Sequence, residues 1–166
     1  MRDSAVNIVG VGNVLMGDDG VGVAAIEALS RQVPPGNVHL HDAGLAVSDV
    51  LGRLDPDDEL IVLDAMRGDG PPGTVYRLWL DPPTFGPGAA AGAFSLHEIS
   101  VVPALQLEAL SGRTFRNTTV FGVEPETVAW GRMLSAPVAA ALDRLVDAVL
   151  EHVGSHDHAV AGEPSK

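Results

Sequence analysis

The sequence contains no cysteine and only one lysine, the C-terminal Lys166. Without cysteine the chain has no disulfide framework, no thiolate nucleophile and no zinc ribbon. The remaining basic residues are arginines spread along the chain; 10 basic residues against 22 acidic ones give a net charge of −12. Because positive charge is nowhere clustered, the composition argues against nucleic-acid binding and against association with an anionic membrane surface.

Aromatic residues are also scarce, at 4%, so a core must be built mainly from alanine, valine and leucine. The N-terminal segment MRDSAVNIVGVGN has only a short apolar run. We therefore expect no signal peptide and no membrane insertion, and a cytoplasmic location. The length of 166 residues suits one domain. We expect that domain to span residues 1–153 and a disordered tail to follow over residues 154–166.

Apolar runs alternate with helical patterns along the chain. Strands are predicted over residues 5–11, 37–41, 59–63, 73–80 and 117–123, and helices over residues 21–29, 46–54, 100–111 and from Ser135 to before Gly154. The Pro-, Gly- and Ala-rich segment 81–94 is predicted to be a mobile loop. This order of elements predicts a single α/β domain with a mostly parallel sheet and helices on both faces.

The turn after the first strand, Gly10-Val11-Gly12-Asn13, lacks the third glycine of a dinucleotide fingerprint, because Leu15 stands there. The acidic pair Asp18-Asp19 follows at the start of a predicted helix. Carboxylates at that position would repel a phosphate group. A nucleotide-dependent enzyme is therefore disfavoured, and helix capping is the simplest role for the acidic pair.

Three side chains with metal-binding chemistry follow three separate segments of the predicted fold. Asp19 comes after the first strand, Asp64 ends the apolar strand Leu60-Ile61-Val62-Leu63, and His97 follows the predicted mobile loop. Open α/β sheets bind ligands at the carboxyl ends of their strands, so these residues can converge on one crevice. Two carboxylates and one imidazole suit a first-row divalent metal such as zinc or nickel, with a coordination position left open.

A second group of histidines, His152, His156 and His158, lies near the C-terminus. Such a group can bind metal weakly, but in a polar C-terminal stretch a solvated tail is the favoured interpretation.

Four blocks of the sequence resemble the hydrogenase maturation proteases, the endopeptidases that finish nickel–iron hydrogenase large subunits. The blocks are IVGVGNVLMGDDGVGVAAIEAL at 8–29, ELIVLDAM at 59–66, SLHEISV at 95–101 and FGVEPETVAWGRMLSAPV at 121–138. The resemblance implies a twisted, mostly parallel sheet of five strands between helices. It also implies removal of a C-terminal extension from the large-subunit precursor, the expected partner, after nickel has been inserted.

The resemblance further implies that Asp19, Asp64 and His97 contact this nickel, which the precursor carries, and take part in catalysis. Zinc or cadmium would be able to replace nickel in a crystal. The family often has Asp-Gly-Gly-Thr after the second strand, where this chain has Asp42-Ala43-Gly44-Leu45. Asp42 and Gly44 are accordingly expected to bind substrate. The first acidic ligand, Glu in some members, is the shorter Asp19 here.

Two mechanisms and one further function remain open from the sequence. The metal or an aspartate carboxylate would activate the attacking water. Alternatively, the chain is a nickel-binding or metal-sensing accessory protein without peptidase activity, which would use the same three residues.

Overall fold

Strands and helices alternate along the chain. The computed structural model describes residues 4–32, 36–81 and 99–160. The strands in these ranges are β1 Val6–Val11, β2 Val38–Gly44, β3 Glu59–Ala65, β4 Val75–Leu80 and β5 Thr118–Val123, and the α-helices are α1 Val21–Ser30, α2 Val47–Leu51, α3 Val101–Leu110 and α4 Ala136–Val160. A short 3₁₀ helix, Gly17–Gly20, precedes α1.

The strands form one sheet in the order β2-β1-β3-β5-β4. The first four strands in that order pair in parallel, and β4 pairs antiparallel with β5 at one edge. Every residue of β1 and β5 is buried, as expected for parallel strands covered on both faces. The predicted five-stranded, mostly parallel sheet is confirmed.

Helices cover both faces of the sheet, also as predicted. On one face α1 and α4 pack against alternate residues of the central strands, such as Ile8, Ile61 and Phe121. On the other face α2 and α3 pack against the intervening residues of the same strands, such as Val9 and Val62. The alternation of side chains along each strand thus supplies two separate apolar cores.

The order of the strands creates a crevice at one edge of the sheet. The chain goes from β1 to β2 on one side and then crosses β1 to reach β3 on the other side. The connections therefore diverge at the carboxyl ends of β1 and β3. Such a switch point is where open α/β sheets bind ligands, because no crossover covers it.

The C-terminal helix differs from its prediction. The sequence predicts a tail from Gly154, but α4 continues through that glycine to Val160. Glycine inside a helix costs about 1 kcal/mol relative to alanine, and the burial of His152 and Val153 anchors the preceding turn. Residues 154–160 are therefore helical, whereas residues 161–166 and most of the predicted loop 81–94 lie outside the described residues. The domain limit at residue 153 stays a prediction.

Candidate active site

Asp64 is a buried carboxylate at the carboxyl end of β3. Its exposed fraction is 1%, and neither of its oxygens accepts a hydrogen bond from any residue that the structure describes. Burial raises the pKa of Asp64 to about 7, and the negative charge of Asp19 acts in the same direction. Polar groups of Ser100 and Ala65 lie close enough to oppose this rise without reaching hydrogen-bond geometry. A buried polar group left unsatisfied in this way is a common sign of a functional site.

Asp19 lies in the 3₁₀ helix between β1 and α1. Its Oδ2 atom accepts a hydrogen bond of 2.8 Å from the backbone N–H of Asn13, in the turn after β1. Gly12 permits this close turn, since its φ is 127° and a Cβ there would lie 1.8 Å from the Asp19 carbonyl oxygen. Asp19 acts on the pKa of Asp64, so both carboxylates lie near the β1–β3 switch point. Their role as ligands stays a prediction.

The third predicted ligand, His97, lies outside the described residues. Within the described ranges, no group of three or more His, Asp or Glu side chains is placed to hold a metal ion. The two carboxylates alone therefore make up the described part of the site, and the complete ligand set stays a prediction.

Asp18, the other member of the acidic pair, has a separate role that the sequence analysis missed. Its side chain is fully buried and accepts four hydrogen bonds, from the backbone N–H groups of Glu126, Thr127 and Ser135 and from the Ser135 hydroxyl, over 2.7–2.9 Å. Burial alone would raise its pKa, but these hydrogen bonds leave the pKa of Asp18 below its usual value.

Neither aspartate makes the expected helix cap, because α1 begins after Gly20 without a side-chain cap. Asp18 instead fastens the segment 126–135 to the turn that carries Asp19. Asp18 and Asp19 are adjacent in the sequence, and adjacent side chains on a helical turn point in different directions. This adjacency alone indicates that the two carboxylates have different roles.

Asp42 and Gly44 lie at the carboxyl end of β2, beside the turn after β1. In the register of the sheet, Asp42 pairs with Gly10 and Gly44 with Val11. The carbonyl of Gly44 accepts a hydrogen bond of 2.9 Å from Gly12, whereas Asp42 is exposed. Both predicted substrate-binding residues thus lie at the same edge of the sheet as Asp19; their contact with substrate stays a prediction.

Glu124 is a second functional candidate that the sequence analysis overlooked. This buried carboxylate follows β5 and accepts hydrogen bonds of 2.6 Å from the Gly68 N–H and 2.8 Å from the Tyr76 hydroxyl. It thereby holds the loop that leaves β3 just after Asp64. The sequence marks Glu124 only as a carboxylate at the end of an apolar strand, and its partners Gly68 and Tyr76 are distant along the chain.

His152 is not part of a solvated tail, contrary to the favoured interpretation. Its exposed fraction is 4%, its Nε2 lies 2.7 Å from a Glu59 carboxylate oxygen and its Nδ1 lies 2.7 Å from Arg77. It borders a cavity of about 550 Å³ between β4 and α4 that neither Asp19 nor Asp64 lines. His152 is therefore separate from the candidate site. The structure does not describe the side chains of His156 and His158.

The fold and the carboxylate pair define a class: an open α/β domain with two neighbouring carboxylates at the switch point of its sheet. Of the described helices, none is long and apolar enough to span a membrane.

Comparison with known proteins identifies the family within this class. A family model described as hydrogenase maturation protease matches residues 23–152. The chain is 32% identical to the hydrogenase expression/formation protein HupD of Thiocapsa roseopersicina, covering 91% of this chain and 68% of the relative. It is 30% identical to the hydrogenase 2 maturation protease of Escherichia coli, covering 86% of this chain and 87% of that protein.

Solved structures agree with the sequence comparisons. The hydrogenase maturating endopeptidase HybD of Escherichia coli superposes with a TM-score of 0.75 at 28% identity, over 92% of this chain and 93% of that one. The hydrogenase 2 maturation peptidase of a Thaumarchaeota archaeon gives a TM-score of 0.68 at 30% identity, over 91% and 99%. The chain belongs to the hydrogenase maturation protease family, and peptidase is the enzyme class of that family.

Proposed function

We propose that this protein removes the C-terminal extension of a nickel–iron hydrogenase large-subunit precursor after nickel has been inserted. In this proposal Asp19, Asp64 and His97 recognise the nickel ion, which arrives as part of the substrate. Membership of the protease family supports the reaction class, and the names of the relatives support a hydrogenase as the substrate.

The observation that carries the proposal is the pair of carboxylates at the switch point. Asp64 is buried without a hydrogen bond from the described residues, and Asp19 lies close enough to raise its pKa. Two neighbouring carboxylates repel one another in the free protein, and a divalent cation between them would remove that cost. The site is therefore suited to a substrate that brings a cation with it.

The position of Ser100 supports His97 as the third ligand. Ser100 lies beside Asp64, and its polar groups influence the pKa of that carboxylate. His97 precedes Ser100 by three residues in the sequence.

Contact with the metal would place the scissile peptide bond at the crevice. An aspartate carboxylate would then accept the proton of the attacking water, either unaided or with that water polarised by the metal, which gives an aspartic or a metal-assisted peptidase. Asp42 and Gly44, at the end of β2, would contact the polypeptide on the other side of Asp19. The cytoplasmic location is part of the same proposal.

The proposal is tested by following the mass of the nickel-loaded precursor from the same organism. We expect the wild-type protein to remove a discrete C-terminal fragment and Asp19→Asn, Asp64→Asn and His97→Ala to lower the rate at least 100-fold. Asp49→Asn, the same chemical change at an exposed position of α2, is the matched control and should retain full activity. Nickel-dependent binding without cleavage by the wild type would instead indicate a non-proteolytic accessory protein.

A further inference from the structure

Large apolar side chains are exposed at the edge of the sheet that carries the carboxylates. Trp130 and Met133, in the segment between β5 and α4, have exposed fractions of 83% and 86%. Other exposed apolar residues follow β1 and β2 at the same edge. We call this set the apolar rim: Val14, Leu15, Leu45, Val128, Trp130 and Met133.

Backbone hydrogen bonds join the three segments of the apolar rim. Gly131 donates to the carbonyl of Leu15 over 2.9 Å and accepts from Gly17 over 2.7 Å, so the segment after β5 lies against the turn after β1. On the other side of that turn, the hydrogen bond between Gly12 and Gly44 places Leu45 next to it. The rim is therefore formed by adjoining segments.

The apolar rim is also held in place. Asp18 bonds to Glu126 and Thr127 on one side of Trp130 and to Ser135 on the other. A fixed surface loses little conformational entropy when a partner binds, which favours association. Exposed tryptophan in an apolar patch is typical of the residues that contribute most to protein–protein binding.

The rim is continuous with the candidate active site. Asn13, which directly precedes Val14, donates its backbone N–H to Asp19. Asp18, which holds the Trp130 segment, directly precedes Asp19. The rim therefore borders Asp19, and a polypeptide bound at the carboxylates lies close to it.

We propose that the apolar rim is the docking surface for the folded body of the polypeptide substrate, through an apolar patch next to its scissile extension. This inference rests on the proposed function and adds to it the surface that selects the substrate. Trp130 and Met133 contact the body, and the carboxylates act on the extension. Substrate affinity then depends on the rim, while the rate of the bound substrate depends on the carboxylates.

Kinetic constants for the nickel-loaded precursor test this separation. Trp130→Ala and Met133→Ala should each raise KM at least tenfold and change kcat less than twofold. The matched controls are Trp79→Ala on β4 and Leu110→Ala on α3, which remove similar side chains with exposed fractions of 54% and 85%. Unchanged KM in both rim variants, with cleavage intact, would overturn the docking surface and leave the proposed function standing.

Tryptophan fluorescence tests binding without cleavage. The chain has two tryptophans, so Trp79→Phe combined with Asp64→Asn leaves Trp130 as the only reporter in an inactive enzyme. Its emission should shift to shorter wavelength when precursor is added. Binding of precursor without a shift of the Trp130 emission would overturn the docking surface. A shift that depends only on enzyme concentration would also overturn it, because it would mean that a second copy of this chain covers the apolar rim. Absence of both binding and cleavage when the wild-type protein is mixed with the nickel-loaded precursor would overturn the proposed function and the docking surface together.

Discussion

Asp64 links function to stability at the scale of the single residue. An ordinary aspartate has a pKa of 3.8, whereas burial raises the pKa of Asp64 to about 7 in the folded protein. The folded state therefore holds a proton that the unfolded state has lost between these two pH values, and the free energy of unfolding falls as pH rises through this window. A shift of about three pKa units corresponds to at most roughly 4 kcal/mol.

Asp64→Asn removes this ionisation and is expected to stabilise the metal-free protein at alkaline pH. Urea unfolding at pH 5 and pH 8 should show that the advantage of the variant over wild type grows by about 2.5 kcal/mol between these pH values. The same variant should be inactive. A stability difference that does not change with pH would contradict the raised pKa of Asp64.

Asp18→Asn is expected to have the opposite effect on stability. The four hydrogen bonds that Asp18 accepts keep its pKa below the usual value, so its carboxylate contributes stability at neutral pH. That contribution is lost as pH falls through the lowered folded-state pKa. An asparagine would turn an NH₂ group toward N–H donors, and we expect a loss of about 2–3 kcal/mol at pH 7 in urea unfolding. Asp49→Asn is the control, and equal stability of the two variants would contradict the account.

At the scale of the element, the packing of α1 against the sheet depends on a glycine. A Cβ at Gly22 would lie 2.1 Å from the carbonyl oxygen of Leu63 and 2.5 Å from that of Val11. Because both contacts are with backbone atoms of β3 and β1, the helix would have to move away from the crevice that those strands form.

The same substitution in two helices therefore has opposite expected results. Gly22→Ala should destabilise the protein by at least about 2 kcal/mol, although alanine favours helix formation by about 1 kcal/mol. Gly154→Ala in α4, where a Cβ would meet nothing within 4 Å, should stabilise it by up to about 1 kcal/mol. Thermal unfolding of both variants is the measurement. A Gly22→Ala protein as stable as wild type would show that α1 does not depend on this close approach.

Most elements could be predicted from the sequence because their signals are local. The apolar run of β3 and the apolar periodicity of α1 gave their positions, and α1 begins at Val21 as predicted. The end of α4 could not be predicted, because His152 is buried through contacts with Glu59 and Arg77, which are distant in the sequence. From the local sequence, Gly154 indicates the end of a helix. The contacts of His152 with distant residues stabilise the helix beyond that point.

At the scale of the whole molecule, the site follows from topology rather than from local sequence. The carboxyl ends of parallel strands share one edge, so the order of strands and helices alone is enough to predict that Asp19 and Asp64 converge. The roles of Asp18 and Glu124 could not be predicted in this way, because Asp18 bonds to Ser135 across 117 positions of the chain and Glu124 to Gly68 across 56. The sequence reveals which residues carry chemistry, and the fold shows which of them support the others.

Dependence of cleavage on nickel tests the central claim most directly. The wild-type protein is mixed with large-subunit precursor that has or has not been loaded with nickel, and the mass of the precursor is followed over time. We predict loss of a single C-terminal fragment from the loaded precursor and no change in the nickel-free one. Equal cleavage of both forms would contradict recognition of the metal by Asp19, Asp64 and His97.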